Sequence, residues 1–346
     1  MPAKIKHIAV FRLSAMGDVA MVVPVIRLFV AQNPTVLVTV VSRPFFKPFF
    51  NDIKNVRFFA VDITNRHKGL IGLCTLFLDL KKLHIDAFAD LHNVLRSKVV
   101  RVLFAINGTK TAFTDKGRAE KKQLTRPKNK IFKPLKTMFL RHVDTFAKLG
   151  FIINVAVPVY PDKTILTDEI LSISGNKNSD KWIGIAPFAQ YKSKVYPLDL
   201  MQTVIDELAL QTKNKIFLFG GGNHEKELLN KLAKHTKNII VVAGKLNLQN
   251  ELHLMSSLDV LLSMDSGNAH MAAMLGVKVV TLWGATHPYA GFSPYNQPLE
   301  HCLVANRLEY PQLPTSIYGN KIVAGYENAM RSISTTQIIK KIEAVL

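Results

Sequence analysis

The segment MDSGNAH at residues 264–270 carries the side chains best suited to holding a phosphorylated ligand. It follows the apolar run DVLLS, a predicted buried strand, and it precedes a helix that Ser266 or Asn268 is suited to cap. Backbone N–H groups and the positive end of the dipole at such a helix start favour a phosphate. His270, four residues after Ser266, lies on the same side of the first turn and reaches the same ligand. A capped helix with a buried histidine explains the segment equally well.

Two other turns in this half of the chain follow apolar runs. Lys194 comes shortly after WIGIAPFA, where its ammonium group would neutralise a diphosphate leaving group, as a metal ion does elsewhere. Gly221, Gly222 and Asn223 follow KIFLF, and glycines allow a ligand to approach the backbone closely. Neither signal is specific, because surface lysines are common and the glycine run lacks the dinucleotide and phosphate-loop patterns.

Asp18 is the chemically interesting residue near the start of the chain. It lies in the turn after the apolar run HIAVFRL and next to the start of a helix. A carboxylate at the carboxyl end of a strand is placed to accept a proton from a nucleophilic hydroxyl. Capping its own helix and complementing the helix dipole is the commoner role of such an aspartate, and both interpretations stay open.

Apolar strands and helices alternate along the chain and position these turns. The runs HIAVFRL, TVLVTVVSR, VRFFAVD and HIDAFADLH are predicted strands of the first half, separated by helical stretches. The alternation restarts at WIGIAPFA and continues through KIFLF, IIVVAG, DVLLS and KVVTLW. This pattern predicts parallel sheets, which bind ligands at the carboxyl ends of their strands. A length of 346 residues favours two domains, with a linker near residues 160–180.

Composition excludes several classes of protein. With 48% hydrophobic and 20% charged residues, the chain is not disordered as a whole. Its two cysteines, Cys74 and Cys302, supply neither a disulfide framework nor a four-ligand zinc site, and indicate a reducing compartment. No window approaches ~20 consecutive apolar residues, so we expect a soluble protein that touches a membrane only from outside.

The net charge of +20 is concentrated in one half of the chain. Residues 1–150 contain 27 Lys and Arg against 9 Asp and Glu, whereas the rest contains 18 against 16. This asymmetry indicates a polyanionic partner for the first half. The basic segment 115–141 is predicted to be a mobile loop that is either a solvated charge run or an anion contact. In the second interpretation the acceptor-binding residues are Arg118, Lys121, Lys122 and Arg126.

Taken together, these motifs resemble glycosyltransferase family 9. RLSAMGD at residues 12–18, followed by an apolar helix with Pro24, is similar to the family's opening. DSGNAHMAAMLGV at residues 265–277 is similar to its donor-site signature, and KVYP, WGAT and the tail from SIYG to MRSI follow the same order. The resemblance is to the ADP-heptose:lipopolysaccharide heptosyltransferases.

The resemblance implies an α/β protein with the GT-B fold, in which two Rossmann-like domains with parallel sheets face a central cleft. Residues 1–165 would be the basic acceptor-binding domain and residues 180–325 the donor domain, while a helix in 326–346 returns toward the N-terminal domain. The implied reaction is an inverting, metal-independent transfer of heptose from ADP-heptose to the lipopolysaccharide inner core, without a cofactor. The implied setting is the cytoplasm, with peripheral contact to the anionic inner membrane leaflet and a phosphorylated or acidic glycolipid as acceptor.

The resemblance also assigns roles to individual residues. Asp18 would be the general base, and Lys194 would stabilise the departing diphosphate. The donor site would be formed by Ser266, Gly267, Asp265, His270, Gly221, Gly222 and Asn223.

Three other functions compete with this one. A transferase of the same family with another nucleotide-sugar donor fits the same motifs. A nucleic-acid-binding protein would use the basic half, although no nucleic-acid motif is present and no nucleic acid is expected. The stretch FFKPFF at residues 45–50 fits a buried core or a membrane contact better than a base-stacking surface. An NAD-dependent oxidoreductase is excluded because the first turn lacks the dinucleotide glycine fingerprint.

Overall fold

The computed structural model describes residues 5–234, 236–321 and 323–346. Within them the chain forms two compact units. The first comprises the residues up to Arg118 together with Lys136–Pro161, and the second comprises Ala119–Leu135 together with Asp162–Leu346.

The first unit is built on a five-stranded sheet in its described part. Its strands are β1 (His7–Phe11), β2 (Leu37–Ser42), β3 (Val56–Ala60), β4 (Ala87–Asp90) and β5 (Lys110–Phe113). They run parallel in the order β3-β2-β1-β4-β5. The helices of this part of the chain are α1 (Met16–Ala20), α2 (Val22–Gln32), α3 (Gly69–Lys81), α4 (Leu95–Ile106), α5 (Arg118–Thr125) and α6 (Met138–Lys148).

The apolar strands of this unit are covered by helices. All five residues of β1 are buried, as expected for a central strand of a parallel sheet. The stretch FFKPFF forms a 3₁₀ helix, Pro44–Phe49, in which Phe46 and Phe49 are buried while Phe45 is 55% exposed. The stretch was predicted to be either buried core or a membrane contact, and most of its phenylalanine rings are buried.

The second unit contains a six-stranded sheet in its described part, in the order β11-β10-β9-β6-β7-β8. All of its pairings are parallel. Its strands are β6 (Lys181–Ala186), β7 (Asn214–Leu218), β8 (Ile239–Val241), β9 (Val260–Met264), β10 (Lys278–Trp283) and β11 (Cys302–Val304). Its helices are α7 (Asp168–Ser174), α8 (Leu198–Leu210), α9 (Gly222–Ala233), α10 (Leu248–Ser256), α11 (Gly267–Met274) and α12 (Thr335–Val345). The predicted α/β class with two parallel sheets is confirmed.

The predicted mobile loop at residues 115–141 is instead partly helical and packed. Helix α5 occupies its first part, and residues 119–135 belong to the second unit. Lys130 Nζ donates hydrogen bonds to the carbonyls of Gln312 (2.7 Å) and Pro314 (2.7 Å). The Phe132 ring lies 3.5 Å from the guanidinium of Arg307. These contacts fix the segment against the second unit, although its charge alone indicates a solvated loop.

Residues 326–346 belong to the second unit, and their predicted return toward the first domain stays a prediction. Helix α12 begins at a capping box formed by Ser334 and Gln337. It buries Ile338, Ile342 and Val345 in the hydrophobic core of the second unit. An amphipathic helix packs where its apolar stripe is covered, and here that partner is α8 with strands β9 and β10. Among the described residues, no helix is long and apolar enough to cross a membrane.

Candidate active site

The turn between β9 and α11 is the predicted phosphate site, and it forms where the sequence places it. Ser266 is the N-cap of α11 with an extended backbone, so Ser266 rather than Asn268 begins the helix. Its hydroxyl makes no capping hydrogen bond and lies 3.1 Å from Ser263 Oγ. Ser266 and Gly267 are partly exposed, so the helix start and its dipole are accessible to an anion.

Lys194 and Asp265 meet beside this helix start. Lys194 Nζ lies 2.9 Å from Asp265 Oδ2, and the side chains are 13% and 8% exposed. Thr286, three residues beyond the end of β10, donates a hydrogen bond of 2.8 Å from Oγ1 to the same carboxylate oxygen. Asp265 therefore holds the ammonium group in a fixed place next to the start of α11. The sequence analysis picks out Lys194 and Asp265 separately, but neither their pairing nor Thr286 is apparent from spacing.

The segment around Gly319 packs closely against the Lys194 side chain. Gly319 has φ of +84°, and a Cβ there would lie 2.5 Å from Lys194 Cδ. Ser193 Oγ donates a hydrogen bond of 2.6 Å to the Gly319 carbonyl, and Ser316 Oγ accepts one of 2.9 Å from the Gly319 N–H. Gly319 is thus required both for its backbone conformation and for the close approach of the lysine. Sequence reasoning noted SIYG only as a family match and missed this role.

The glycine turn between β7 and α9 is open. Gly221 is the N-cap of α9, and Gly222 has φ of +73° with free space around the position of a Cβ. The Gly221 N–H donates a hydrogen bond of 2.7 Å to Glu225 Oε2. The acidic group at this turn is therefore Glu225, while Asn223 is exposed.

His270 occupies the first turns of α11 and is 7% exposed. The buried-histidine interpretation therefore describes its setting. Its predicted place in the donor pocket stays a prediction.

Asp18 lies in α1, at the carboxyl end of β1 in the first unit. Its Oδ2 is 2.5 Å from Arg12 Nη2 and accepts a hydrogen bond of 3.1 Å from the Ala15 N–H. Arg12 is in turn anchored by donating to the carbonyls of Ser14 (2.8 Å) and Leu91 (2.7 Å). The carboxylate does cap its helix, yet its side chain remains 30% exposed. The observed geometry is therefore compatible both with helix capping by Asp18 and with its predicted role as proton acceptor.

Two titratable groups near Asp18 were not found by sequence reasoning. Burial, together with the nearby charges of Arg12 and Lys116, lowers the pKa of His92 to about 3, so its imidazole is neutral at pH 7. Burial and the charge of Arg12 lower the pKa of Lys116 to about 8. The surroundings of Asp18 thus combine a fixed guanidinium, a neutral imidazole and an ammonium group that titrates near neutral pH.

The four predicted acceptor-binding residues have different settings. Arg118 and Lys122 are exposed on α5. Lys121 is 5% exposed, and its ammonium lies 4.1 Å from the centre of the Phe292 ring. Arg126 Nε donates to the Asn129 carbonyl just beyond the helix. Of the four residues, Arg118 and Lys122 are the exposed ones.

Comparisons with known proteins agree with this geometry. A family model described as "Glycosyltransferase family 9 (heptosyltransferase)" matches residues 73–321. The chain is 26% identical over 302 residues to the lipopolysaccharide core heptosyltransferase OpsX of Haemophilus influenzae, covering 84% of this chain and 82% of that protein.

Two solved structures show the likeness of fold. A glycosyl transferase family 9 structure from Veillonella parvula matches with a TM-score of 0.75 and 20% identity over 100% of this chain and 98% of the other. Escherichia coli heptosyltransferase WaaC, solved with ADP, matches with a TM-score of 0.68 and 17% identity over 98% and 100%. At these identities the likeness concerns the fold, which is GT-B.

Proposed function

Because the chain belongs to glycosyltransferase family 9, we propose that it transfers heptose from ADP-heptose to the inner core of lipopolysaccharide. The relative OpsX is named as a lipopolysaccharide core heptosyltransferase, and WaaC was solved with ADP. The observation that carries the proposal is the Lys194–Asp265 pair beside the start of α11. In this proposal the second unit binds the nucleotide-sugar and the first unit binds the acceptor.

The donor diphosphate lies at the start of α11, next to Ser266 and Gly267. The amides and dipole of this helix start favour its negative charge, as does the ammonium group of Lys194. When the bond to the anomeric carbon breaks, its electron pair leaves with the diphosphate, and this charge is stabilised by groups already in place. Asp265 positions Lys194, while Gly221, Gly222, Asn223 and His270 line the rest of the donor site.

The acceptor hydroxyl is activated by Asp18 in the first unit. The carboxylate accepts the hydroxyl proton while the oxygen attacks the anomeric carbon from the side opposite the leaving group, so the configuration inverts. Arg12 fixes the orientation of the Asp18 carboxylate through the contact of 2.5 Å. The acidic acceptor is also attracted by the charge of Arg118 and, in the second unit, by those of Lys121, Lys122 and Arg126.

The reaction takes place at the cytoplasmic face of the inner membrane, where the glycolipid acceptor is embedded. The basic first half of the chain, with 27 Lys and Arg against 9 Asp and Glu in residues 1–150, supports contact with an anionic leaflet. A nucleic-acid partner is not proposed, since the family match spans residues 73–321 and accounts for the site.

The test is a calorimetric binding screen of the purified protein against ADP-heptose, ADP, UDP-sugars and GDP-sugars. We expect selective binding of ADP-heptose that is lost in Lys194→Ala and retained in Lys192→Ala, an exposed lysine on the same turn. Selective binding of another nucleotide-sugar would replace heptose by that sugar. Absence of binding to every nucleotide-sugar would refute the proposed donor site.

A further inference from the structure

Helices α3 and α4 of the first unit carry apolar side chains on the faces that point away from the sheet. On α3, Leu70 (73%), Ile71 (84%) and Leu78 (54%) are exposed. On α4, Leu95, Val102 and Ile106 are 80%, 51% and 80% exposed. A helix on the surface of a globular protein normally turns charged or polar residues outward, so two adjacent helices with apolar outer faces call for an explanation.

The two outer faces form one continuous surface because the helices pack side by side. Phe77 of α3 and Phe104 of α4 meet with their ring centres 5.0 Å apart. The opposite faces, including Leu76, Leu80 and Val100, join a single core under the helices. The six exposed residues therefore lie on neighbouring helices over a common base, and we call their surface the α3–α4 face.

Lysine and arginine side chains lie on or next to the α3–α4 face, and the nearby aspartates already form ion pairs. Asp79 is paired with Arg66 at 2.8 Å, and the fully buried Asp90 is paired with Arg101 at 2.9 Å. By contrast, four exposed cations on or next to these helices form no ion pair within the described residues; they are Lys68, Lys81, Arg96 and Lys98. The surface thus combines projecting apolar side chains with a surplus of positive charge.

We propose that the α3–α4 face docks onto an anionic lipid bilayer; this proposal rests on the proposed function, in which the acceptor is a membrane glycolipid. Apolar side chains enter the interfacial region while lysine and arginine pair with anionic headgroups, and the two contributions add. A second copy of the chain is a poorer occupant, because a symmetric contact would bring the same unpaired cations together. Docking through this face would hold the first unit at the surface that displays its acceptor.

The first experiment measures co-sedimentation of the full-length protein with vesicles of phosphatidylcholine, with and without phosphatidylglycerol. We expect binding to the phosphatidylglycerol vesicles that weakens with added salt. The double variant Ile71→Gln, Ile106→Gln should bind at least about tenfold more weakly, since two exposed isoleucines no longer leave water. The matched control is Ile152→Gln, Leu308→Gln, whose parent side chains are 90% and 94% exposed elsewhere. Equal binding by both double variants would overturn the proposal.

Cys74 provides an independent measurement. Its thiol is exposed on α3 between Ile71 and Leu78, whereas Cys302 is only partly exposed. An environment-sensitive fluorophore on Cys74, in a Cys302→Ala background, should shift to the blue with phosphatidylglycerol vesicles. An unchanged spectrum while the protein sediments with the vesicles would show that another surface docks, and would overturn the proposal.

Two further outcomes separate this proposal from its rivals. If Ile71→Gln, Ile106→Gln converted a dimer into a monomer in sedimentation velocity without weakening vesicle binding, the face would be a contact between copies. With a water-soluble, deacylated acceptor, the variant should turn over like the unaltered protein, because the face acts only at the bilayer. Failure of the unaltered protein to turn over any donor would instead count against the proposed function, whatever the vesicle result.

Discussion

Lys194→Ala removes the cation that faces Asp265. We expect it to lower stability, because Asp265 loses its counter-ion, and to lower turnover, because the departing diphosphate loses a positive charge. At a separation of 2.9 Å the pair attracts by about 6 kcal/mol at an effective dielectric of ~20, and desolvation of the two groups offsets much of this. Without Lys194, a carboxylate that is 8% exposed loses its counter-ion. Breaking a buried pair in this way costs about 3–5 kcal/mol, and we expect the lower end because Thr286 still donates to Asp265.

Turnover should fall by a larger factor than this loss of stability explains. If the ammonium group stabilises the departing diphosphate, its removal should lower kcat about 10²–10³-fold, the effect of losing one preorganised donor. The assay is release of ADP from ADP-heptose at saturating acceptor, measured beside urea unfolding of the same preparations. Lys192→Ala on the same turn is the matched control and should leave both quantities nearly unchanged.

The double variant Lys194→Ala, Asp265→Asn separates the two effects. Replacing the carboxylate removes the unpaired charge, so most of the lost free energy of unfolding should return. Turnover should stay low, because no cation faces the leaving group. Recovery of kcat together with stability would refute the reasoning, since Lys194 would then serve only as the counter-ion of Asp265.

Three further predictions follow from the same geometry. Asp18→Asn should keep the fold but lower kcat about 10²–10⁴-fold with ADP-heptose, by loss of the proton acceptor; a folded variant with full turnover would contradict the role of base. Because the pKa of Lys116 is lowered to about 8, its charge is present below that pH and lost above it, so the KM for an anionic acceptor should rise between pH 7 and 9. Lys116→Arg, which stays charged, should flatten this profile, and an unaltered profile would show that another group titrates. Lys130→Met should leave the carbonyls of Leu124, Gln312 and Pro314 without this donor, costing about 1–3 kcal/mol. Limited proteolysis should then cut residues 119–135 faster, and an unchanged rate would mean that the remaining contacts suffice.

Much of the fold is predictable because buried parallel strands have sequences that are short apolar runs. HIAVFRL, TVLVTVVSR and DVLLS each contain a strand of the structure. Two short strands at the sheet edges, β5 and β11, were not predicted, because edge strands bury fewer residues and carry a weaker apolar signal. Helix α5 was missed because its composition is almost entirely polar and its packing partners lie far along the chain.

The candidate site is partly predictable for the same reason. A polar residue directly after a buried strand must lie at the carboxyl edge of the sheet, and this places Asp18 and Asp265. Spacing does not reveal that Asp265 pairs with Lys194, or that Gly319 makes room for that lysine. These contacts join residues that are 71 and 125 positions apart in the numbering, and no local rule connects them.

The sequence by itself determined the alternation of strands and helices, the turns that carry chemistry and the positive charge of the first half. These properties are local, because they depend on side-chain periodicity, capping and the count of charges. Only the tertiary structure decided that residues 119–135 and α12 belong to the second unit, and that α3 and α4 leave apolar side chains facing outward. An apolar run in a helix indicates how much apolar surface the helix carries. Which face of the helix is covered depends on elements that are distant in the chain.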